Sequence, residues 1–353
     1  MDLKRLGWTL DLEDAFSSYK KEGFTIGRVA LEHKGMYRIF TENGDLLAEI
    51  TGHFRFNAFE REDYPAVGDW VVIKELDEEK AMIHAVMPRK SKFSRQVAGR
   101  ETAEQIVAAN VDTVFLVNAL NRDFNPRRLE RYLSIAWESG ASPVIILSKA
   151  DLCEDVTDKV AQTEAVAFGV PIHVVSAATN DGFEVLKGYF AKNETVALLG
   201  SSGVGKSTLI NRLYGQEVQT VKEIREGDDR GRHTTTHREM VLLPEGGIVI
   251  DTPGMRELQL WDTDEGLGYS FSDVEELAAE CKFRDCKHEG EPGCAVQVAI
   301  ESGELEQSRF ENYLKLQKEM AFLERKTNKR LQKEEREKWK KIAGDRTRVS
   351  RKR

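Results

Sequence analysis

Three successive textures along the chain predict a multidomain α/β protein. The first ~90 residues carry short apolar runs broken by close turns. From about 111 to 254, longer apolar runs alternate with helix-like segments. Beyond about 270 the sequence is helical and charged, and three of the four cysteines fall within 14 residues. At 353 residues there is room for two or three domains, each burying its own core.

In the first region, Tyr37 and Ile39 alternate with polar neighbours up to Asn43-Gly44, a strong hairpin signal. Leu46, Ala48 and Ile50 alternate on the return strand. WVVIK (70–74) and AMIHAVM (81–87) complete a set of short strands that reads as mostly β and suits a small OB-like barrel. PRKSKFSRQVAGR (88–100) is basic and polar and reads as a linker. The next apolar runs, at 111–120, 143–148, 171–177, 195–200 and 246–254, lack a period of two, as expected of strands buried on both faces. Helical segments at Pro126–Ser139, Glu154–Phe168, Gly182–Phe190 and Lys206–Tyr214 lie between most of them, which predicts a mostly parallel sheet covered on both sides.

One of those strands ends in a motif with chemistry. Gly200, Ser201, Ser202, Gly203, Val204, Gly205, Lys206, Ser207 and Thr208 fit G-x-x-x-x-G-K-[ST] between a strand and a helix, the context that motif requires. Its glycines let backbone N–H groups wrap a phosphate at a helix N-terminus. Lys206 would reach the β- and γ-phosphates, and the Ser207 hydroxyl would bind Mg²⁺. Asp251-Thr-Pro-Gly254 ends a buried strand 45 residues after Lys206. Asp251 sits where a second Mg²⁺ contact is needed, and the Gly254 N–H can approach a γ-phosphate. Between them GDDRGRHTTTH (227–237) suits a switch segment, with Thr235 (or Thr234) toward Mg²⁺. Met255 stands where many GTPases carry the Gln that orients water. His233 is the candidate to position that water, and a solvent-facing loop histidine is the alternative.

Base recognition points to guanine. Ser148, Lys149, Ala150 and Asp151 follow a buried strand. The Asp would accept from the N1–H and exocyclic amine of guanine, a pair adenine does not offer, and the Lys stem would pack on the ring. Asn is usual where this chain has Ser148. Ser176 and Ala177, after the next strand, resemble the accessory loop that contacts guanine O6. Asp151 precedes Gly200 by 49 residues, so the guanine elements come before the phosphate loop, the reverse of the usual order. A site defined in space survives such a cut and rejoining of the chain. Switch two then leads directly into the C-terminal domain.

Cys281-x4-Cys286-x-His288-x5-Cys294 supplies three thiolates and an imidazole, a complete tetrahedral set for one structural Zn²⁺ with no position left open for catalysis. Cys153 stands apart. From Arg325 to Arg353 there are 14 Lys/Arg against 4 Asp/Glu, so this stretch carries +10 and the rest −18 of the net −8. A basic tail on an acidic body fits a polyanionic partner, and equally a solvated terminal helix. The N-terminus lacks a secretory signal and no stretch approaches ~20 apolar residues, so a cytoplasmic protein with no membrane partner is expected.

Together, GSSGVGKST, GRHTTT, DTPG, the preceding guanine loop and CKFRDCKHEGEPGC resemble the RsgA (YjeQ) family of circularly permuted, small-ribosomal-subunit-dependent GTPases, over ~35 to ~300. The resemblance implies an OB-fold RNA-binding domain (1–95), a circularly permuted P-loop GTPase domain (96–265), an α-helical zinc-binding domain (266–325) and a basic tail (326–353). It also implies GTP/GDP binding with Mg²⁺, hydrolysis stimulated by the small (30S) subunit, contact with its 16S rRNA, and a late maturation checkpoint. A monomer suffices. Two rival readings share these motifs. Ser148 motivates an ATPase on the same fold, and Met255 an RNA-binding assembly protein that holds nucleotide only as a structural ligand.

Overall fold

The computed structural model describes residues 2–33, 35–96, 104–215, 239–251 and 264–327, which fall into two compact units. The first holds the described residues before 252, and the second those from 264 on.

The first unit opens with a helix the β-rich reading missed, α1 (Leu10–Lys21), capped by the Thr9 side chain. Its apolar spacing is weak because it buries only Phe16. Trp8, just before it, meets Phe16 and Trp70 edge-on with centroids 6.1 and 4.7 Å apart, which fastens this segment to the strands. β1 (Thr25–His33), β2 (Met36–Thr41) and β3 (Gly44–Ile50) form an antiparallel meander. After α2 (Gly52–Asn57) come β4 (Trp70–Glu75) and β5 (Lys80–Val86). β3 pairs in parallel with β5, whereas β5 pairs antiparallel with β4 and β4 antiparallel with β1, so the five strands close on themselves. Closure leaves no free edges. Inside lie Val29, Tyr37, Ile39, Leu46, Val71, Ile73 and Ile83, the inward members of the alternation read from the sequence.

The expected linker contains a strand. β6 (Lys92–Gln96) pairs antiparallel with β7 (Glu104–Ala109). Its basic residues obscured the fact that Phe93 between them is buried.

β8 (Thr113–Ala119), α3 (Pro126–Ser139), β9 (Ser142–Ser148), α4 (Val156–Glu164), β10 (Ile172–Val174), α5 (Phe183–Lys187), β11 (Thr195–Leu199) and α6 (Lys206–Tyr214) then follow. β12 (Glu239–Leu242) and β13 (Ile248–Asp251) complete the sheet, in the order β10-β9-β8-β11-β13-β12. All neighbours are parallel except β12. The three strands that precede β11 in the chain lie on one side of it, and the two that follow lie on the other. Phe115, Val117, Val144, Phe183, Leu186, Val196, Leu198, Leu209 and Ile210 form the core of one face.

Barrel and sheet are joined. β1 pairs with β12 at Leu31↔Glu239, beyond a bulge between Val29 and Leu31, and Arg38 bridges Glu239 at 3.4 Å. Arg28 is fully buried and donates to three carbonyls: Leu6 (2.5 Å), Gly68 (3.1 Å) and Asn110 (3.0 Å). Burial pulls its guanidinium down to about 10, against the opposing pull of the Asp112 and Asp69 carboxylates. Ala109 donates to Val67 at 2.9 Å, so the β4 approach and the β7 exit run against each other.

The second unit packs α7 (Asp264–Ser270), α8 (Ser272–Ala279), α9 (Ala295–Ser302) and α10 (Gln307–Thr327). Phe271, Val274, Val296, Phe310 and Leu316 are buried in it. Arg309 grips both oxygens of Asp273 at 2.7 Å and lies over Phe271, its guanidinium 4.7 Å from the ring centroid. No helix among the described residues is long and apolar enough to cross a membrane.

Candidate functional site

The phosphate loop leaves the C-terminal end of β11, a central strand of the sheet, and enters α6. Gly200 passes so close to β8 that a Cβ there would stand 2.5 Å from the Val117 carbonyl oxygen, so the first glycine of the motif is required by packing. Lys206 folds over the loop and donates to the carbonyls of Gly200 (2.7 Å) and Ser201 (2.8 Å). Its ammonium therefore sits within the arc that the glycines form. Ser207 and Thr208 are half-buried in the first turn of α6. Asp251 is buried at the end of β13, the strand beside β11. The Ser207 hydroxyl after β11 and the Asp251 carboxylate at the end of the neighbouring strand β13 are oxygen donors of the kind that suits a hard cation such as Mg²⁺.

The guanine-type loop lies at the same end of the sheet. Lys149, in the left-handed region (φ 59°), turns the chain out of β9 and presents Asp151. The Ala150 N–H is held by the Val175 carbonyl at 3.2 Å. Ser176, almost fully buried, donates its hydroxyl to Asp151 Oδ1 at 2.5 Å, which fixes one oxygen of that carboxylate. Ser148, 8% exposed, donates to the Val204 carbonyl of the phosphate loop at 2.6 Å. Ser148, Lys149, Asp151, Ala177, Gly205 and Thr208 thereby line one cavity of about 230 Å³. Its apolar floor comes from Val117, Leu152, Phe183 and Leu209. A largely apolar cavity lined also by a carboxylate suits a purine whose edge carries N–H donors.

Some residues of this site were missed in the sequence. Leu152 and Phe183 carry no motif, and only the fold brings Phe183 beneath the loop. Asp123 accepts from the Ser201 hydroxyl at 2.8 Å and is held by Arg128 at 2.9 Å. It supports the phosphate loop from behind, with no signal beyond its place after a buried strand. Gly254, His233, Thr234, Thr235 and Met255 lie outside the described residues.

In the second unit, Cys281, Cys286, His288 and Cys294 come together, with all four ligand atoms within 4.8 Å of one another. Cys281 Sγ lies 3.6 Å from His288 Nδ1 and 3.9 Å from Cys294 Sγ, which is 3.3 Å from His288 Nδ1. Around a tetrahedral ion with Zn–S of ~2.3 Å and Zn–N of ~2.0 Å, such pairs would be ~3.5–3.8 Å apart. The donors therefore fit a metal ion of this kind. Gln297 donates to the His288 carbonyl at 2.6 Å and Phe310 packs edge-on to its ring, so α9 and α10 hold the imidazole in place. Desolvation pushes the Cys286 thiol up to about 11, and its sulfur neighbours push the same way, so metal binding must displace protons.

The phosphate loop, the slot beside it and the strand order, with the Ser148–Asp151 loop ahead of the phosphate loop in the chain, are those of a circularly permuted phosphate-loop GTPase. Residues 86–261 match the RsgA GTPase family. A protein of Oceanobacillus iheyensis named small ribosomal subunit biogenesis GTPase RsgA 1 is 51% identical over 320 residues, covering 90% of this chain and 91% of that one. Its counterpart from Opitutus terrae is 46% identical, covering 97% and 96%. The crystal structure of YjeQ from Thermotoga maritima superposes with a TM-score of 0.63 at 30% identity, covering 85% of this chain and 98% of that one. That of YloQ, described as a circularly permuted GTPase, gives 0.59 at 28% identity, covering 85% and 95%. The chain belongs to the RsgA GTPase family and is a GTP hydrolase.

Proposed function

We propose that this GTPase binds the small (30S) ribosomal subunit through its 16S rRNA and uses GTP hydrolysis as a late checkpoint in subunit maturation. The observation that supports the nucleotide part is the bond from Ser148 to Val204, which joins the Asp151-bearing loop to the phosphate loop around one cavity. The names of the relatives support the ribosomal part.

In this reading Asp151 accepts from N1–H and the exocyclic amine of guanine, and Ala177 contributes to the O6 side. The loop from Gly200 to Gly205 wraps the phosphates with its N–H groups. Lys206 neutralises the charge that develops between the β- and γ-phosphates. Ser207, Asp251 and Thr235 would hold Mg²⁺, which when bound supplies electrostatic stabilisation of the transferring phosphoryl group. The N–H of Gly254 follows the γ-phosphate, and His233 orients the attacking water. Cys281, Cys286, His288 and Cys294 hold one Zn²⁺ that folds the C-terminal unit. The closed barrel and the basic tail supply RNA-facing surfaces. The protein acts as a cytoplasmic monomer.

The deciding experiment measures GTP and ATP hydrolysis with and without purified small ribosomal subunits. Slow, GTP-selective turnover that the subunit strongly accelerates is expected. Equal use of ATP would remove the guanine assignment, and unchanged turnover with subunits would remove the ribosomal partner.

A further inference from the structure

Guanine offers four groups along its edge: donors at N1 and the 2-amino group, and acceptors at O6 and N7. Asp151 can serve only the donors. A side chain serving N7 must bring an N–H or O–H of its own. Among the described residues whose side chains line the slot, only Ser148, Lys149 and Thr208 have one. Lys149 offers its stem to the ring face, and Thr208 lies in the first turn of α6, on the phosphate side.

Ser148 has a single hydrogen, and its partner identifies where it goes. Val204 contributes a carbonyl oxygen at 2.6 Å, which can only accept. The Ser148 hydroxyl hydrogen is therefore spent on the phosphate loop, and the lone pairs that remain on its oxygen cannot serve an acceptor such as N7. An asparagine here would have a second N–H left over after making the same bond.

We propose that Ser148 is a specificity-determining residue that clasps the base slot to the phosphate loop and, in doing so, leaves guanine N7 unread. Recognition of the base then rests on the N1 and 2-amino edge at Asp151, with no side-chain donor among the described residues of the slot left for the imidazole ring of the purine. This inference rests on the guanine reading of the site. It predicts that purine nucleotides altered at N7 are accepted, whereas those altered at position 2 are rejected.

The test compares dissociation constants of the full-length protein for GTP, 7-deaza-GTP (N7 replaced by C–H) and ITP (2-amino group removed). 7-deaza-GTP is expected within about twofold of GTP, and ITP weaker by about tenfold, the size of one lost hydrogen bond to a carboxylate. Ser148→Ala should weaken GTP and 7-deaza-GTP by the same factor, about tenfold, because the Val204 carbonyl loses its donor. Ser148→Thr, which keeps a hydroxyl, should restore both. A 7-deaza-GTP affinity tenfold or more below that of GTP, with ITP still rejected, would overturn the proposal and leave the guanine site standing. Unequal losses in Ser148→Ala would do the same. ITP binding as well as GTP would instead sink the guanine reading itself, and this inference with it. The analogue series on the unaltered protein decides the matter even if Ser148→Ala fails to fold.

Discussion

Asp151 and Gly68 illustrate two kinds of constraint acting on single residues. Asp151 has one carboxylate oxygen held by the Ser176 hydroxyl, which orients the carboxylate while leaving lone pairs on both oxygens for the two donors of a base edge. Replacing it by Asn exchanges one acceptor for a donor, which suits xanthine, whose 2-position is a carbonyl. Asp151→Asn is therefore expected to shift the ratio of kcat/KM for XTP over GTP upward by tenfold or more, about 1.4 kcal/mol or greater. An unchanged ratio would remove Asp151 from base contact. Gly68 has φ +94°, and a Cβ there would stand 2.1 Å from the Ala109 carbonyl oxygen. Both the left-handed backbone and the contact exclude a side chain. Gly68→Ala is expected to cost about 3 kcal/mol, combining backbone strain with displacement of a buried peptide. Urea unfolding of the two proteins measures it. Of these two residues only Asp151 was legible in the sequence, because loop spacing after a buried strand marks a site. The need for glycine at 68 comes from a peptide 41 positions away that only the fold brings near.

The elements divide along the same line. α3 and α6 start and stop where the sequence places them, because Asn125 with Pro126 and the phosphate-loop glycines are local start signals. The barrel strands were legible from their alternation, but its closure was not. Closure depends on the parallel pairing of β3 with β5, a non-local contact that no local pattern encodes. β6 was hidden because Lys92 and Arg95 dominate a strand that buries one phenylalanine. The metal cluster was legible as a set of ligands, whereas the support of His288 by Gln297 and Phe310 required α9 and α10 in place. Short helices around such a cluster depend on the ion for their fold. A zinc chelator, or Cys281→Ser, is expected to lower the unfolding temperature of the C-terminal unit by 10 °C or more, since a lost structural metal removes several kcal/mol. Phosphate-loop turnover in the absence of subunits should remain largely present. Loss of hydrolysis at once, with the fold intact by circular dichroism, would reassign the metal to catalysis.

For the whole molecule the organising feature is charge set against rigidity. Arg28, Gly68 and the β1–β12 pairing tie the barrel to the nucleotide sheet within one compact unit. The chain that carries them is acidic, with −18 of formal charge before Arg325 against +10 from there on. An acidic body does not approach a polyanion through its average field, so the RNA contact proposed above would have to come from local basic segments. Residues 326–353 carry 13 Lys/Arg against 4 Asp/Glu. Each phosphate that such a segment neutralises releases a counterion and adds to the dependence of affinity on salt. Truncation after Arg325 is therefore expected to weaken binding to small ribosomal subunits by about tenfold or more near 0.1 M salt, and to flatten the plot of log affinity against log salt. Intrinsic GTP turnover without subunits should be unaffected, because the base slot and phosphate loop lie wholly in the first unit. Binding measured by sedimentation across a salt series distinguishes the two sequence readings of the tail. A shallower slope on truncation identifies it as an RNA-contacting segment, and an unchanged slope identifies it as a solvated terminal helix.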